Sequence, residues 1–429
     1  MQCGNLRNNK LTQIFLIIIV SGLFLSLYNY YDANQGFRQA ILEKENISNE
    51  LSDLTAECDQ VSQQLEYIKE SKEKLEQRIY ELELEAIDQP TEPRPDIILK
   101  ITESGEVRNI ILMIGDGMGI GQITAAEIKN GEEELVITSL PYQSLVTTYS
   151  ISGYVTDSAA SATALATGYK TMNGMISMTR DGKKPETVVE AAEADGMSTG
   201  IVTNTRVTHA TPACFMAHID SRNKEFEIAD QILISGVDVV LGGGSAYFDS
   251  SDPSTACYTL VTTTADLLEF KSGKLLGLFS DGYMSYDISR DPEVEPSLSE
   301  MTEKTIHLLS DDPDGFFLMV EGGRIDHACH ANDLDNTVRE TLSFDLAVLE
   351  ALEYASKRND TLVIVTADHE TGGLSIVGGY PNGEAQYNWI CDDHTGNMVP
   401  VYAYGPRAKE VLAFTDNTDI GDFIISLIK

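Results

Sequence analysis

The pattern of apolar and polar residues changes sharply along the chain. Residues 14–28 are largely apolar, with Arg7 and Lys10 before them and Asp32 after them. By the positive-inside rule, this arrangement predicts a membrane segment with the rest of the chain outside the cytoplasm. We expect residues 1–31 to form a cytoplasmic tip and an uncleaved transmembrane anchor. Because the run is short for a span, a cleaved signal peptide is the alternative.

A second pattern follows the anchor. From Ile47 to Ala86, apolar residues recur in alternating steps of four and three, with Glu, Lys, Gln and Ser between them. This heptad pattern predicts a coiled-coil stalk over residues 37–88; the alternative is one amphipathic helix packed on the following domain. Cys58 and Lys72 lie on the apolar seam, so facing copies of Cys58 could form a disulfide in a parallel dimer.

Residues 89–96 contain three prolines and predict an extended linker. From residue 97, apolar runs of strand length alternate with helical segments, and such runs end near Ile114, Asn204, Val320 and Thr366. This alternation predicts an α/β domain over residues 97–429, with a central, mostly parallel sheet flanked by helices.

Composition limits the class of partner. The chain has 429 residues and is 42% apolar, which supports a large core. Its 67 acidic and 30 basic residues give a net charge of -37, which disfavours nucleic acid and a bare anionic lipid surface. If the substrate is an anion, metal ions or arginines must therefore reverse the local charge.

One stretch carries an unusual concentration of metal-ligand side chains. Glu321, Asp326, His327 and His330 lie within ten residues, directly after the apolar run 316–320. Carboxylates and imidazoles are ligands of hard and borderline divalent metals, so this stretch predicts a metal site. The alternative is a polar loop whose histidines are satisfied by hydrogen bonds.

Similar side chains follow the other predicted strands. Parallel strands end at one edge of their sheet, so we expect these side chains to lie together. They are Asp116, His209, Thr211, Asp368 and His369. Two further histidines lie in the candidate motifs 217–222 and 392–395, at His218 and His394. Of the seven histidines, only His307 falls outside all of these motifs, in a helical segment where we expect a structural role.

A candidate nucleophile lies at the start of a predicted helix. The small residues from Ser158 to Thr167 predict a tightly packed helix with Gly168 as its C-cap. Asp157 and Ser158 then lie at its N-terminus, where N–H groups and the helix dipole favour an anion and an ionised serine. An ordinary N-cap is the alternative.

The ordered set of motifs resembles the alkaline phosphatase family over residues 108 to about 406. The motifs are Asp116 after a strand, Thr-Asp-Ser-Ala-Ala-Ser-Ala-Thr-Ala, Thr-Ala-Asp368-His369 and His394-Thr-Gly. The resemblance implies hydrolysis of phosphate monoesters through a phosphoserine at Ser158, with Arg222 clamping the phosphate. It also implies two Zn2+ ions and one Mg2+ ion.

The resemblance assigns the ligands position by position. Those of the first zinc are Asp326, His330 and His394. In this assignment, Asp116 bridges the second zinc and the magnesium. Asp368 and His369 complete the second zinc site. The remaining magnesium ligands are Thr211 and Glu321. His209 and His327 stand near the third metal, where some bacterial members have Asp and Lys, and thus resemble the animal-type arrangement.

Other enzyme classes fit the motifs less well. A related sulfatase would need Pro and Arg at the second and fourth positions after its nucleophile, but Ala160 and Ala162 occupy those positions after Ser158. A phosphodiesterase of the same superfamily and a catalytically dead stalked scaffold are the alternatives. We expect small phosphate monoesters as substrates, a homodimer formed through stalk and catalytic domain, and a membrane-anchored catalytic domain on the periplasmic or cell-surface side.

Two further expectations concern the catalytic domain. Residues 245 to 300 contain Gly-rich and Pro-rich stretches and are expected to form surface loops. Four cysteines could form disulfides outside the cytoplasm, without a pairing readable from sequence: Cys214, Cys257, Cys329 and Cys391.

Overall fold

The computed structural model describes the C-terminal part of the chain. It covers residues 105–131, 134–248, 257–380 and 385–429, and the single residues Ile19, Ser21, Lys72, Lys74 and Leu99. The chain separates into two compact units, Met1–Pro95 and Asp96–Lys429. Apart from those single residues, the predicted anchor, stalk and linker lie outside the described ranges. Within those ranges, no helix is both long enough and apolar enough to cross a membrane.

The second unit is built on a nine-stranded sheet and two small two-stranded ones. In chain order the strands are β1 (Asn109–Gly115), β2 (Tyr142–Val146), β3 (Ser198–Arg206), β4 (Val239–Gly243), β5 (Tyr258–Val261), β6 (Lys274–Leu278), β7 (Phe316–Gly322), β8 (Thr361–Thr366), β9 (Glu370–Thr371), β10 (Ser375–Gly378), β11 (Gln386–Asn388), β12 (His394–Thr395) and β13 (Val399–Tyr404).

The order of the large sheet is β2-β13-β8-β1-β7-β3-β4-β6-β5. The seven strands from β8 to β5 pair in parallel, whereas β13 runs antiparallel to both β8 and β2. The predicted mostly parallel sheet is confirmed. The four strands predicted to carry ligands at their ends, β8, β1, β7 and β3, are direct neighbours.

Helices flank the sheet as predicted. They are α1 (Ile120–Lys129), α2 (Ser158–Thr167), α3 (Val188–Asp195), α4 (Ala210–Met216), α5 (Glu225–Ile234), α6 (Thr264–Glu269), α7 (Leu298–Leu309), α8 (Arg324–His330), α9 (Leu334–Ser356) and α10 (Thr418–Ile428). Short 3-10 helices occur at Ile137–Ser139, Ser245–Tyr247, Asp287–Ser289 and Ala408–Ala413.

The core lies on the central strands. Every residue of β1, β7 and β8 is buried, as their continuous apolar runs predict for parallel strands covered on both faces. One group of helices packs around α9, which contacts α1, α7 and α8; another joins α2, α3, α4 and α10. Most of the buried apolar side chains belong to one continuous cluster.

Two expectations about the domain were wrong. Residues 245 to 300 are not simply surface loops, because they include β5, α6 and β6 within the main sheet assembly. These strands have four and five residues, too short for a clear apolar run. The four cysteines of the described part are free thiols, and Cys214 and Cys329 are buried.

The C-terminal helix supports the helix that carries Ser158. Gly421 of α10 lies so close to α2 that a Cβ added there would be 2.6 Å from the Gly168 nitrogen and 2.7 Å from the Ala164 carbonyl oxygen. Both atoms belong to the backbone and cannot move as a flexible side chain would. The close crossing of the two helices therefore requires glycine at this position.

We expect Gly421→Ala to destabilise the domain. Separation of α10 from α2 should lower the free energy of unfolding by about 1–3 kcal/mol, against a gain in helix propensity of under about 1 kcal/mol. Gly282→Ala is the control, because its added Cβ meets nothing within 4 Å. Thermal and denaturant unfolding measure both variants. Equal stability of the two variants would contradict the tight crossing.

Candidate active site and metal centre

Four neighbouring strands bring the predicted ligands together. Asp116 follows β1, and Asp368 and His369 follow β8. Glu321 is the penultimate residue of β7. Thr211 lies on α4, shortly after β3. Because these strands are parallel, their carboxyl ends share one edge of the sheet. The side chains of all these residues are buried.

Three groups of side chains place their ligand atoms close enough to share a metal ion. Within each group these atoms all lie within 4.8 Å of one another. The groups are Asp326 with His330 and His394; Asp116 with Asp326 and His369; and Asp116 with His209 and Glu321. Asp116 and Asp326 each belong to two groups, so the three form one continuous centre.

The first group is arranged for metal binding. Nδ1 of His330 is 2.8 Å from the Asp392 carbonyl oxygen, and Nδ1 of His394 is 2.9 Å from the Thr156 carbonyl oxygen. Both rings therefore donate through Nδ1 and keep Nε2 free as a ligand. The Nε2 atoms of His330 and His394 are 3.1 Å apart. Oδ2 of Asp326 lies 3.4 Å from Nε2 of His330. This converging set suits a cation.

The second group surrounds His369. Its Nδ1 lies 3.2 Å from the Thr371 hydroxyl, which itself donates to Asp326 Oδ1 at 2.6 Å. The hydroxyl must then accept from Nδ1, which leaves Nε2 as the ligand atom. Nε2 is 3.5 Å from Asp116 Oδ1 and 3.2 Å from Asp368 Oδ2.

The third group centres on Glu321. Its Oε2 accepts hydrogen bonds from Thr203 and, at 3.1 Å, from Thr205, both on the adjacent strand β3. Its Oε1 has no partner, and neither has the Thr211 hydroxyl. His209 joins this group, but Nη2 of Arg222 donates to its Nε2 at 3.0 Å. While that hydrogen bond persists, His209 neighbours the third position without ligating through Nε2.

Unpartnered polar atoms test whether this donor set fits metal ions. Buried oxygens rarely lack hydrogen bonds, because the desolvation cost is high. Here the unpartnered atoms include both Asp116 oxygens, Asp368 Oδ2, Glu321 Oε1 and the Thr211 hydroxyl. All belong to the predicted ligand set. The residues therefore fit divalent metal ions, for which mixed oxygen and nitrogen ligands are suitable.

The electrostatics of these residues lead to the same conclusion. Burial, together with the charge of Asp368, raises the pKa of Asp116 well above its usual range. Burial and the charge of Asp326 raise the pKa of Asp368 to about 8. Burial lowers the pKa of His369 well below its usual range, so this ring is neutral. Bound cations would favour the ionised carboxylates and the neutral imidazole.

Asp326 behaves differently from the other carboxylates. Burial alone would raise its pKa, but the hydrogen bond from His330 and the charges of His369 and His394 hold that pKa below its usual range. The same contact with Asp326 raises the pKa of His330 to about 9. Without bound metal, a protonated His330 therefore supplies positive charge beside the Asp326 carboxylate.

Ser158 faces the second group from the predicted helix N-terminus. Its Oγ is 3.3 Å from Nε2 of His369. The N-cap residue Asp157 accepts from the Ala160 N–H at 2.9 Å and from Arg222 Nη1 at 3.1 Å. Asp157 thus starts α2 and orients Arg222 beside the serine. The helix has the predicted bounds, and Gly168 is its left-handed C-cap.

Residues far away in sequence hold this arrangement. Buried Asn417, at the start of α10, donates to the Ser161 hydroxyl at 2.8 Å, and that hydroxyl donates to the Asp368 carbonyl oxygen at 2.5 Å. Lys170 donates to Asn417 at 2.6 Å. The C-terminal segment therefore couples the nucleophile helix to the loop after β8.

Gly117 is required where β1 meets the centre. Its φ is +72°, and a Cβ there would lie 2.9 Å from Asp326 Oδ1 and 2.9 Å from the Thr371 hydroxyl. Glycine relieves both the steric and the conformational restriction. Its N–H donates to Asp368 Oδ1 at 3.1 Å, which fixes one oxygen of that carboxylate.

The two remaining histidines lie elsewhere. His307 is exposed on α7, as expected for a residue outside the site. His218, which belongs to a motif of the site, instead contacts the Ser177 carbonyl oxygen at 2.5 Å and Glu190 at 3.0 Å. Cys329 is buried against Gln122 and Thr337 and belongs to none of the three ligand groups.

Sequence reasoning missed an aromatic and basic cluster beside His327. The Tyr283 ring packs edge-on against His327, with centroids 4.3 Å apart, and against His209, with centroids 5.8 Å apart. Arg206 lies over the Tyr283 ring at 3.9 Å, and Arg324 donates to His327 Nδ1 at 2.7 Å. Arg206 and Arg324 adjoin the predicted motifs, whereas Tyr283 comes from the segment expected to be loops.

Comparisons with known proteins agree with this geometry. The sequence profile described as alkaline phosphatase matches residues 107–390. Alkaline phosphatase 4 of Bacillus subtilis (strain 168) is 34% identical over 422 residues, spanning 77% of this chain and 90% of that protein. Alkaline phosphatase of Escherichia coli (strain K12) is 35% identical over 404 residues, spanning 73% of this chain and 84% of that protein.

A solved structure shares the fold. The alkaline phosphatase from the Antarctic bacterium TAB5 superposes with a TM-score of 0.71 at 34% identity, covering 76% of this chain and 99% of the TAB5 chain. Sequence motifs, site geometry and sheet topology thus agree. The chain belongs to the alkaline phosphatase family and is a phosphomonoester hydrolase.

Proposed function

We propose that the protein hydrolyses phosphate monoesters through a phosphoserine formed on Ser158, at a site holding two zinc ions and one magnesium ion. The observation that carries this proposal is the position of Ser158 Oγ, 3.3 Å from His369 Nε2. That nitrogen converges with Asp116 and Asp368, so the serine faces the position that these ligands surround.

The proposed ligands follow the family resemblance; they share the first group in full, and add Asp368 and Thr211 to the shared members of the other two. Asp326, His330 and His394 hold the first zinc, and Asp116, Asp368 and His369 hold the second. Asp116, Thr211 and Glu321 hold magnesium, with His209 and His327 beside it. A mutant of the TAB5 enzyme with Mg bound in the M3 site also shares this fold, with a TM-score of 0.68 and 31% identity, covering 77% of this chain and 99% of that one. When bound, the metal ions supply positive charge that lowers the pKa of the serine hydroxyl and stabilises the departing oxygen.

The chain's own residues then perform two substitutions at phosphorus. In the first, Ser158 Oγ forms a bond to phosphorus as the ester P–O bond breaks and the alcohol leaves with a proton. In the second, the oxygen of a water molecule bonds to phosphorus as the bond to Ser158 breaks; one proton of that water returns to Oγ, and inorganic phosphate is released. Arg222, held by Asp157, presents a planar fork to the phosphoryl oxygens.

We further propose that residues 1–31 anchor the chain and that residues 37–88 form a parallel coiled coil. The supporting observations are the charge asymmetry around residues 14–28 and the heptad pattern. The catalytic domain would then lie on the periplasmic or cell-surface side as a homodimer. Retention in membranes after an alkaline wash tests the anchor; release by that wash would contradict it.

Ser158→Ala should lower kcat for an aryl phosphate at pH 8 to 10 by at least about 1,000-fold, because nucleophile removal is of this order or larger in other hydrolases. Ser356→Ala, at the end of α9, is the matched control. Chelation should abolish wild-type activity, and zinc with magnesium should restore it. Turnover of an aryl phosphodiester alone would favour the phosphodiesterase, and inactivity of the metal-loaded protein toward both esters would favour the scaffold.

Metal removal should make stability fall as pH rises from 6.5 to 9. An aspartate whose pKa is higher when folded binds more protons in that state, so the free energy of unfolding decreases between its two pKa values. For Asp368 these are about 8 when folded and 3.8 as the ordinary value. For His330, the ordinary pKa is 6.5 and the folded pKa is about 9, so its favourable contact with Asp326 is lost between these values, a range that overlaps the Asp368 window from 6.5 to 8.

Thermal unfolding of the chelated full chain measures this effect. We expect Tm to fall by at least about 5 °C across that pH range, and to change less in metal-loaded protein. Asp116→Asn is a useful variant, because removing one buried carboxylate should reduce the slope in the chelated protein. If the difference in Tm between chelated and metal-loaded protein did not change with pH, the role of these carboxylates would be contradicted.

A further inference from the structure

A guanidinium beside the third ligand group has an unused hydrogen-bonding edge. Arg324 is half-buried at the start of α8, and its Nη1 donates to His327 Nδ1 at 2.7 Å. Its Nε is buried without a hydrogen-bond partner. Among the residues that the structure describes, Arg324 forms no ion pair. The Nε and Nη2 edge therefore has capacity for an anion.

Other arginines of this protein show what that edge binds. Arg206 uses Nε and Nη2 for both oxygens of Glu225, at 2.7 and 2.9 Å. Arg358 uses the same two atoms for Asp360, at 2.8 and 2.7 Å. This bidentate geometry matches a carboxylate or a phosphate. At Arg324, the corresponding edge has no such partner in the described residues.

The Arg324 guanidinium is held in place. Asn204 Oδ1 accepts from the Arg324 backbone N–H at 3.2 Å, while Asn204 Nδ2 donates to Glu340 at 3.1 Å. The guanidinium carbon lies 3.9 Å from the centre of the Tyr286 ring and 5.5 Å from that of Tyr283. Cation–π contacts and a fixed backbone reduce the entropy lost when an anion binds.

The Glu340 carboxylate interacts with the Arg324 charge through space but does not occupy its hydrogen-bonding edge. Its two oxygens accept from Asn204 Nδ2, at 3.1 Å, and from the Asp287 backbone N–H, at 2.6 Å. It forms no ion pair with Arg324 within the described residues. Through Asn204, the carboxylate also helps to fix the start of α8.

A row of contacts links Arg324 to the proposed phosphate clamp. Arg324 donates a hydrogen bond to His327. The ring centroids of His327 and His209 are 5.8 Å apart. Nε2 of His209 in turn accepts a hydrogen bond from Arg222 at 3.0 Å. Arg222 and Arg324 thus flank one histidine pair. Tyr283, which touches both rings, is 37% exposed, so solvent reaches its side chain beside the histidine pair.

We propose that Arg324, with Tyr283 and Tyr286, forms a second anion subsite that selects phosphate monoesters whose alcohol carries another anionic group. The proposal rests on the proposed phosphomonoesterase activity, with the scissile phosphate at Ser158 and Arg222. The second group is a carboxylate or a phosphate, since either matches the free edge of the guanidinium. Arg324 is then a specificity-determining residue rather than a catalytic one.

A matched pair of substrates tests this subsite. One is 4-phosphonooxybutanoate, and the other is its neutral amide, 4-phosphonooxybutanamide. The full metal-loaded chain should show a higher kcat/KM for the carboxylate, and Arg324→Gln should lower the carboxylate-to-amide ratio about tenfold, as expected for a charged hydrogen bond. Because the readout is a ratio, a general loss of activity through His327 does not alter it.

Two variants complete the test. Arg324→Lys retains charge but lacks the bidentate edge, and should give an intermediate ratio; it also carries the test if Arg324→Gln does not fold. Arg358→Gln removes the same charge near the start of β8, at the opposite end of that strand from the site, and should leave the ratio unchanged. In the wild type, added salt should lower the ratio.

The outcomes separate the two proposals. Turnover of both substrates with the same ratio in wild type, Arg324→Gln and Arg324→Lys would overturn the subsite and leave the phosphomonoesterase intact. An equal fall of the ratio in Arg358→Gln would also overturn it, because net charge alone would then explain the preference. Turnover of neither substrate by the metal-loaded wild type would instead count against the proposed function.

Discussion

Four carboxylates, those of Asp116, Glu321, Asp326 and Asp368, are buried together at the carboxyl edge of one sheet. Burial of like charges is costly, and it raises the pKa of Asp116, Glu321 and Asp368. Divalent cations at the three ligand groups would remove this cost. The domain must therefore hold mutually repelling groups in place by other interactions until cations are bound.

Those interactions come from distant parts of the chain. The register of β3 against β7 places Thr203 beside Glu321, so a hydroxyl fixes one oxygen of this carboxylate. Backbone carbonyl groups orient His330 and His394 through Nδ1. Glu321, His330 and His394 thus each have a partner that is not itself a ligand, as is usual for well-ordered metal sites. The cost of burying the carboxylates is offset by packing and hydrogen bonds throughout the domain.

The parts of the site that could be predicted from sequence are those tied to local pattern. Asp116 and Asp368 directly follow buried strands, and Ser158 begins a helix of small residues with a glycine at its end. The order β8-β1-β7-β3, by contrast, depends on crossover connections that local pattern does not specify. The family resemblance supplied the assignment of ligands to individual metals.

The residues that could not be predicted have long-range partners. Asn417 meets Ser161 across 256 positions, and Asn204 meets Glu340 across 136. Neither pair has a local signature, because a buried amide in a helix or strand resembles any other polar residue until its partner is known. Tyr283 was missed for another reason: the short strands before it were interpreted as loops, which removed its position from consideration.

The charge of the whole chain and the charges at the site act over different distances. A net charge of -37 disfavours the approach of anions, but at physiological salt interactions between exposed charges are largely screened beyond about 8 Å. Arg222 and Arg324 are partly buried and act at hydrogen-bond distance, where screening is weaker. Glu225 pairs with Arg206 through both of its oxygens, and Asp157 pairs with Arg222 through one, so Arg206 contributes less net charge than Arg222. Local arginines, together with bound cations, can therefore select an anionic substrate in a strongly acidic protein.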